Sequence, residues 1–335
     1  MAGAPAICDA EQGNQSRGAG PLSTILSITL PIYLLIGLGF LSVRTGYFAG
    51  ADIKAIATFV VRFALPALIF IAVGTAAPSE TFHTGLFTAY LAGSLALFFA
   101  CVLVARLVFR QRWSLVGLMA LGMTGSNSAF VGFPLLSILY PDLAITTFAT
   151  VMILENLILI PLALAIADAG DSTDSTPLQG FLNALKGLTR NPIFLSILVA
   201  LAYSVSGLTL PDPLMRPIEM LRPIASPIAL FAVGGTVAAA RSVRGMVLPA
   251  GAILSGKLIL HPLFVLAAAL MVPDLPREIL LVAVVNAACP MLSIYPLFGL
   301  SYGRELLTSA TLMVTTAASF VTISSLLWII SASGG

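Results

Sequence analysis

The sequence predicts an all-α polytopic membrane protein: ten transmembrane helices, built as two inverted five-helix repeats whose fourth and ninth helices are broken by proline. Three observations carry this. The 335 residues are 59% hydrophobic and only 9% charged, with a mean hydropathy of +1.04, whereas soluble domains carry about 25% charged residues. The apolar runs are about twenty residues long and do not alternate, which suits helices spanning lipid and not a barrel. Proline, glycine and asparagine recur in the second half of the chain at nearly constant offsets from the first.

Residues 1–20 are a polar tail without the basic start and apolar run of a signal peptide. Ten spans follow, at about 22–43, 53–75, 85–108, 115–139, 143–167, 181–206, 214–239, 246–271, 277–300 and 306–332. The sixth is the least clear, because Lys186 and Arg190 sit in its first turns. The first repeat is 21–167, the polar linker DAGDSTDSTPLQG is 168–180, and the second repeat is 181–332.

Basic residues orient the bundle. Arg44, Lys54, Arg106, Arg110, Arg112, Lys186, Arg190, Arg241, Arg244 and Arg304 fall on one side, against Arg17, Arg216 and Arg277 on the other. The first side is therefore cytoplasmic, and both termini face out of the cytoplasm of a cell (inner or plasma) membrane. The net charge of +2 is too small to argue for nucleic acid. Cys8, Cys101 and Cys289 have no metal or disulfide spacing. No cofactor or metal is expected.

Five spans per half force the second half to be inverted. ALPALIFIAVG (64–74) matches ASPIALFAVGG (225–235) at Pro66/Pro227, Phe70/Phe231 and Gly74/Gly235, an offset of 161. Asn127 and Asn286 differ by 159, and Pro134 and Pro296 by 162. Interrupted helices at corresponding places in inverted repeats point to a transporter site near the bilayer midplane. Pro134, Pro290 and Pro296 each remove an amide donor, releasing the carbonyls of Phe130, Asn286 and Leu292. Unpaired backbone at that depth must be covered by protein or line a cavity. Half-helix N-termini there suit an anion, and Asn127, Asn286, Ser126 and Ser128 add neutral polar groups without a buried charge. Gly132, Cys289 and Pro290 complete the two breaks.

Lys257 lies near mid-span with His261 four residues on, on the same helix face. A mid-membrane lysine is a functional candidate by default, and the structural alternative is a partner for Glu155 or for a broken-helix carbonyl. Glu155 and His261 are candidates for coupling, with kink-filling before Pro262 the alternative for His261. Thr315, Thr316 and Ser319 belong to a hydroxyl stripe that suits either close packing or site lining. Arg62 and Arg222 precede Pro66 and Pro227, where they hold carbonyls or guide anions.

SNSAFVGFPLL (126–136), RFALPALIF (62–70), NPIFLSIL (191–198), GKLILHP (256–262) and NAACPMLSIYP (286–296) together resemble the auxin efflux carrier family, which includes bacterial malonate and related carboxylate carriers. The resemblance covers about 22–332. It implies that the two broken helices cross and that substrate, a carboxylate or auxin-like anion, binds at the crossing. It implies a scaffold of spans 1, 2, 6 and 7, a transport unit of spans 3–5 and 8–10, elevator-type alternating access and a homodimer. The central loop is shorter than in many plant members.

Among the functions weighed, a secondary transporter of a small organic anion leads. A carrier of a small neutral polar solute and an anion channel are the alternatives. An intramembrane hydrolase fits poorly: GSNSAF is not a nucleophile elbow, and every Asp lies at a span end or in a loop. No enzyme activity is expected.

Overall fold

A computed structural model describes residues 21–75, 83–168, 192–239 and 247–332. The polar tail, the linker 168–180 beyond Asp168, and Lys186, Arg190, Arg241 and Arg244 lie outside the described residues. Among those described the chain is entirely helical apart from turns and loops, and it is a multi-pass membrane protein.

In chain order, α1 is Pro21–Arg44, α2 Gly50–Phe59, α3 Leu65–Gly74, α4 Thr84–Leu103, α5 Trp113–Thr124, α6 Phe133–Leu139, α7 Pro141–Leu154 and α8 Ile160–Asp168. Then come α9 Pro192–Ser206, α10 Asp212–Leu221, α11 Ala225–Ala239, α12 Val247–Ser255, α13 His261–Leu270, α14 Arg277–Ala287, α15 Tyr295–Ser301 and α16 Glu305–Ala332. Three pairs of these run into one another through wide, π-helical turns, Val60–Ala64, Glu155–Leu159 and Gly256–Leu260; a fourth such turn, Val104–Val108, ends α4, and a fifth, Ser128–Gly132, leads into α6.

Four of these five turns end two residues before a proline: Pro66, Pro134, Pro161 and Pro262. The cause is steric. A proline ring clashes with the carbonyl four residues earlier, and in each case that residue lies inside the wide turn. Widening the helix by one residue relieves the clash, and such bulges concentrate at functional sites.

Seven continuous helical stretches among the described residues are long and apolar enough to cross a membrane, with two shorter apolar helices, Leu30–Arg44 and Leu195–Ser206. This is fewer than the ten spans expected, for physical reasons. The ninth is split into α14 and α15, each too short alone. The first and sixth have only their C-terminal parts fully described. Burial separates one stretch from the rest. The apolar window of Trp113–Leu139 is wholly buried, whereas that of Leu306–Ala332 is 28% buried. The broken fourth span therefore runs through the interior, and spans such as α16 present apolar side chains outward.

Small residues set the helix contacts, as expected where burial against lipid supplies no driving force. α1 packs on α11, α3 on α9, α4 on α13, and α5 on α8. A methyl group on Gly39 would meet the carbonyl of Phe231, one on Gly234 the carbonyl of Ile36, and one on Gly117 the carbonyl of Ala163. Gly93 lies against the backbone of Phe264 and Val265 in the same way.

Candidate functional site

The first break follows directly from its sequence. α5 ends at Thr124, and Gly125 is extended (φ −75°, ψ 128°). The helix resumes at Ser128, with Asn127 as its N-cap residue (φ −79°, ψ 58°). The Asn127 carbonyl accepts the N–H groups of Val131 and Gly132, both at 2.9 Å. The first N–H groups of the new helix, at Ser128, Ala129 and Phe130, have no partner within it.

The second break spans the residues between α14 and α15. Here the carbonyls released by the prolines are recaptured locally. That of Asn286 accepts Cys289 N–H at 3.2 Å, and that of Leu292 accepts Tyr295 N–H at 3.0 Å. The expectation that these two stay unpaired is thus corrected: tight turns satisfy them. The two breaks meet. Asn127 N–H donates to the Pro290 carbonyl at 2.7 Å, and Asn127 Nδ2 donates to Ser293 Oγ at 2.7 Å.

Behind the meeting point lies a fully buried polar network. Lys257 Nζ donates to Ser126 Oγ at 2.6 Å and to the Ala287 carbonyl at 3.0 Å, and lies 2.8 Å from His261 Nδ1. An ammonium has three N–H groups, and here they have three acceptors. With Lys257 as an ammonium, His261 Nδ1 accepts and Nε2 carries the proton, 2.9 Å from Ser94 Oγ; Nδ1 also lies 3.2 Å from the Ala287 carbonyl, the acceptor it would meet in the other tautomer. Lys257 also places positive charge on the C-terminal carbonyls of α14, the favourable end. Glu155 Oε1 accepts the Ser126 N–H at 2.6 Å. Tyr90 OH lies 2.9 Å from Ser126 Oγ. Asn286 Nδ2 donates to Tyr90 OH at 3.2 Å and Ser128 Oγ at 3.0 Å. Two buried oxygens in this cluster, Glu155 Oε2 and Asn286 Oδ1, have no hydrogen-bond partner.

A cavity of about 260 Å³ opens in front of the network. Its polar lining is Ser126, Asn127, Ser128, Asn156 and Ser293. The expected site residues therefore divide. Ser126, Asn127 and Ser128 face the cavity. Gly132, Pro134, Asn286, Cys289, Pro290, Lys257, Glu155 and His261 do not line it. Gly132 is needed for a different reason: a side chain there would collide with Asn286 Oδ1. Cys289 Sγ donates to the Val285 carbonyl at 3.5 Å.

Other expectations change as well. Lys257 and Glu155 form no direct ion pair; Ser126 stands between them, touching Glu155 through its amide and Lys257 through its hydroxyl. His261 does more than fill a kink, since both ring nitrogens have partners. Asn127 and Asn286 are not equivalent by position. The short helices after the breaks, α6 and α15, correspond at an offset of 162 residues, each with proline second. At that offset Asn127 pairs with Cys289, and Asn286 lies nearly a turn earlier, inside α14. Ser319 Oγ bonds Tyr33 OH at 2.9 Å, linking α1 to α16. Arg62 and Arg222 are exposed.

Three members of the site were not singled out by sequence: Tyr90, Ser94 and Ser293. Tyr90 and Ser94 stand four apart with Gly93 between them, a polar stripe on one face of an otherwise apolar helix. Ser293 sits between the two prolines of the second break.

A helical bundle whose buried span is interrupted beside a polar cavity is an arrangement suited to membrane transport. The chain belongs to the family described as "Membrane transport protein", the auxin efflux carrier family, which matches residues 24–329. It is 28% identical over 312 residues to a Rhizobium meliloti (strain 1021) protein named "Putative malonate transporter", covering 92% of this chain and 97% of that one. It is 25% identical over 221 residues to "Uncharacterized transporter YfdV" of Escherichia coli (strain K12), covering 65% of this chain and 70% of the relative.

Proposed function

We propose that this protein is a secondary-type transporter of a small organic anion, with a small dicarboxylate such as malonate as the leading candidate and the substrate at the meeting point of the two breaks. The observation that carries this is the composition of the 260 Å³ cavity. It combines the start of the Ser128 helix, the amide of Asn127 and the hydroxyl of Ser293. The unpaired N–H groups of that helix start and its partial positive charge favour an anion. Lys257 stands one residue behind, at 2.6 Å from Ser126 Oγ. The name of the Rhizobium relative adds weight to malonate.

The helix contacts support an elevator reading of two groups, which touch, among other places, where α1 and α11 meet α16 and where α3 meets α7. α1, α2, α3, α9, α10 and α11 contact one another, while α4 packs on α5 and α13, and α15 and α12 on α16. The first group is the scaffold and the second the moving unit of a ten-span inverted repeat. A neutral polar solute is the second reading, because every side chain lining the cavity is uncharged.

Radiolabelled malonate exchange in proteoliposomes tests the function. The expected result is saturable counterflow, and in net uptake without internal malonate, movement of the anion rather than of a neutral solute. Electroneutral uptake of an uncharged solute would favour the second reading. Single-channel currents would replace both by a pore.

Orientation is testable separately. The basic asymmetry predicts that a single cysteine in place of Arg112 is labelled by an impermeant reagent from the cytoplasm, and one in place of Pro273 from outside. Labelling of both from one side would overturn the span count.

A further inference from the structure

We propose that Lys54 captures the anionic substrate at the mouth of a second cavity, from which it passes to the site at the breaks. The proposal rests on the reading of the substrate as a small organic anion. The second cavity, of about 270 Å³, lies between α2, α11 and the second break. It shares Val61, Phe130, Ser293 and Ile294 with the first, so the two meet at that wall. The outer compartment ends at Lys54 and Gly50, at the start of α2. The inner one ends at Asn127.

Charge is distributed unevenly along this path. Lys54 is the one charged side chain lining either cavity. It is exposed, and no carboxylate pairs with it among the described residues. The neighbouring acid, Asp52, is turned back on the Ala49 N–H at 2.8 Å. The walls between Lys54 and the breaks are mostly apolar: Ile53, Ala57, Val61, Phe130 and Val233. A single-signed charge at the mouth of a cleft with low-dielectric walls focuses its field inward and raises the local concentration of the opposite ion. The outer compartment thus selects by charge, and the inner one holds the substrate with neutral donors and helix N–H groups. Lys54 also falls among the ten basic residues of the cytoplasmic side, so this path serves exchange with that compartment.

The test is initial-rate malonate transport by the full chain in proteoliposomes, over a range of malonate concentrations at low and high ionic strength. At low ionic strength Lys54→Gln is expected to raise KM about fivefold to tenfold and leave kcat within about twofold. At high salt, where the Debye length falls below about 10 Å, wild type and variant should converge. Lys54→Arg should match wild type, since a mouth charge needs no particular shape. An unchanged KM in Lys54→Gln at low salt would overturn the proposal, as would a fall in kcat that arginine does not rescue. If wild type transports malonate and Asn127→Ala loses it while Lys54→Gln is unaltered, only the role of Lys54 fails. If wild type transports no small carboxylate, the anion reading itself fails.

Discussion

Asn127→Ala is expected to weaken malonate binding by tenfold or more while the purified protein stays folded. Asn127 is buried, and it lines the cavity. Its one side-chain hydrogen bond among the described contacts runs to Ser293 Oγ at 2.7 Å, joining the two breaks across the cavity. The backbone stitch from Asn127 N–H to Pro290 and the bonds from Val131 and Gly132 to its carbonyl do not depend on the amide side chain. Alanine therefore keeps the break and removes a polar partner from a low-dielectric site. Leaving a buried polar group unmatched costs about 1–3 kcal/mol, and each 1.4 kcal/mol is tenfold in affinity. Asn286→Ala should behave differently. Its amide holds Tyr90 and Ser128 behind the cavity, so thermal stability should fall before affinity does. Isothermal titration with malonate, beside a melting curve for each variant, separates the two. Near-wild-type affinity in Asn127→Ala would remove the break as the binding site.

How much of this was legible depends on which physical rule wrote each feature. Proline acts on its own helix, so the sequence alone pointed to distortions at Pro134 and Pro262, though the wide turns before Pro66 and Pro161 were not singled out. Burying a charge is costly anywhere in a membrane, so Lys257 and Glu155 stood out without any knowledge of packing. The pairing of the two halves was less legible. Matching Asn127 to Asn286 by residue type put the second asparagine in the break, whereas it is the last turn of α14 that carries it. Residue type does not report backbone register; the two prolines, which do constrain the backbone, carried the register at 162 residues. Tyr90 and Ser94 escaped because a hydroxyl in an apolar helix commonly serves local packing. Only the fold brings α4 beside α13, and so Ser94 within 2.9 Å of His261. The division between residues that face the cavity and residues that support it has no sequence signature at all.

Lys257→Gln is expected to abolish transport, and the double variant with Glu155→Gln to recover stability without recovering transport. Lys257 is fully buried and its three donors meet three acceptors on three different segments: Ser126, His261 and Ala287. Removing it leaves Glu155, also fully buried, with no cation near Ser126. Breaking a buried charge arrangement by deleting one member costs about 3–5 kcal/mol, most of it from the charge left behind. Changing both residues to glutamine removes that penalty, so the double variant should regain most of the lost Tm. Transport answers to a second requirement. An anion moved to the membrane interior needs compensation of about 3 kcal/mol or more. Half-helix N-termini supply only partial charge, and Lys257 is the lysine that reaches the cavity wall through Ser126. Transport in the double variant should therefore stay below about a tenth of wild type, by the same factor of ten per 1.4 kcal/mol. Lys257→Arg should fail as well, because a planar fork cannot place its donors on three acceptors gathered around one point. Uptake and melting temperature measured in all three variants at matched protein levels decide the matter. Full recovery of transport in the double variant would reduce Lys257 to a structural partner of Glu155, and wild-type transport in Lys257→Gln alone would end both roles.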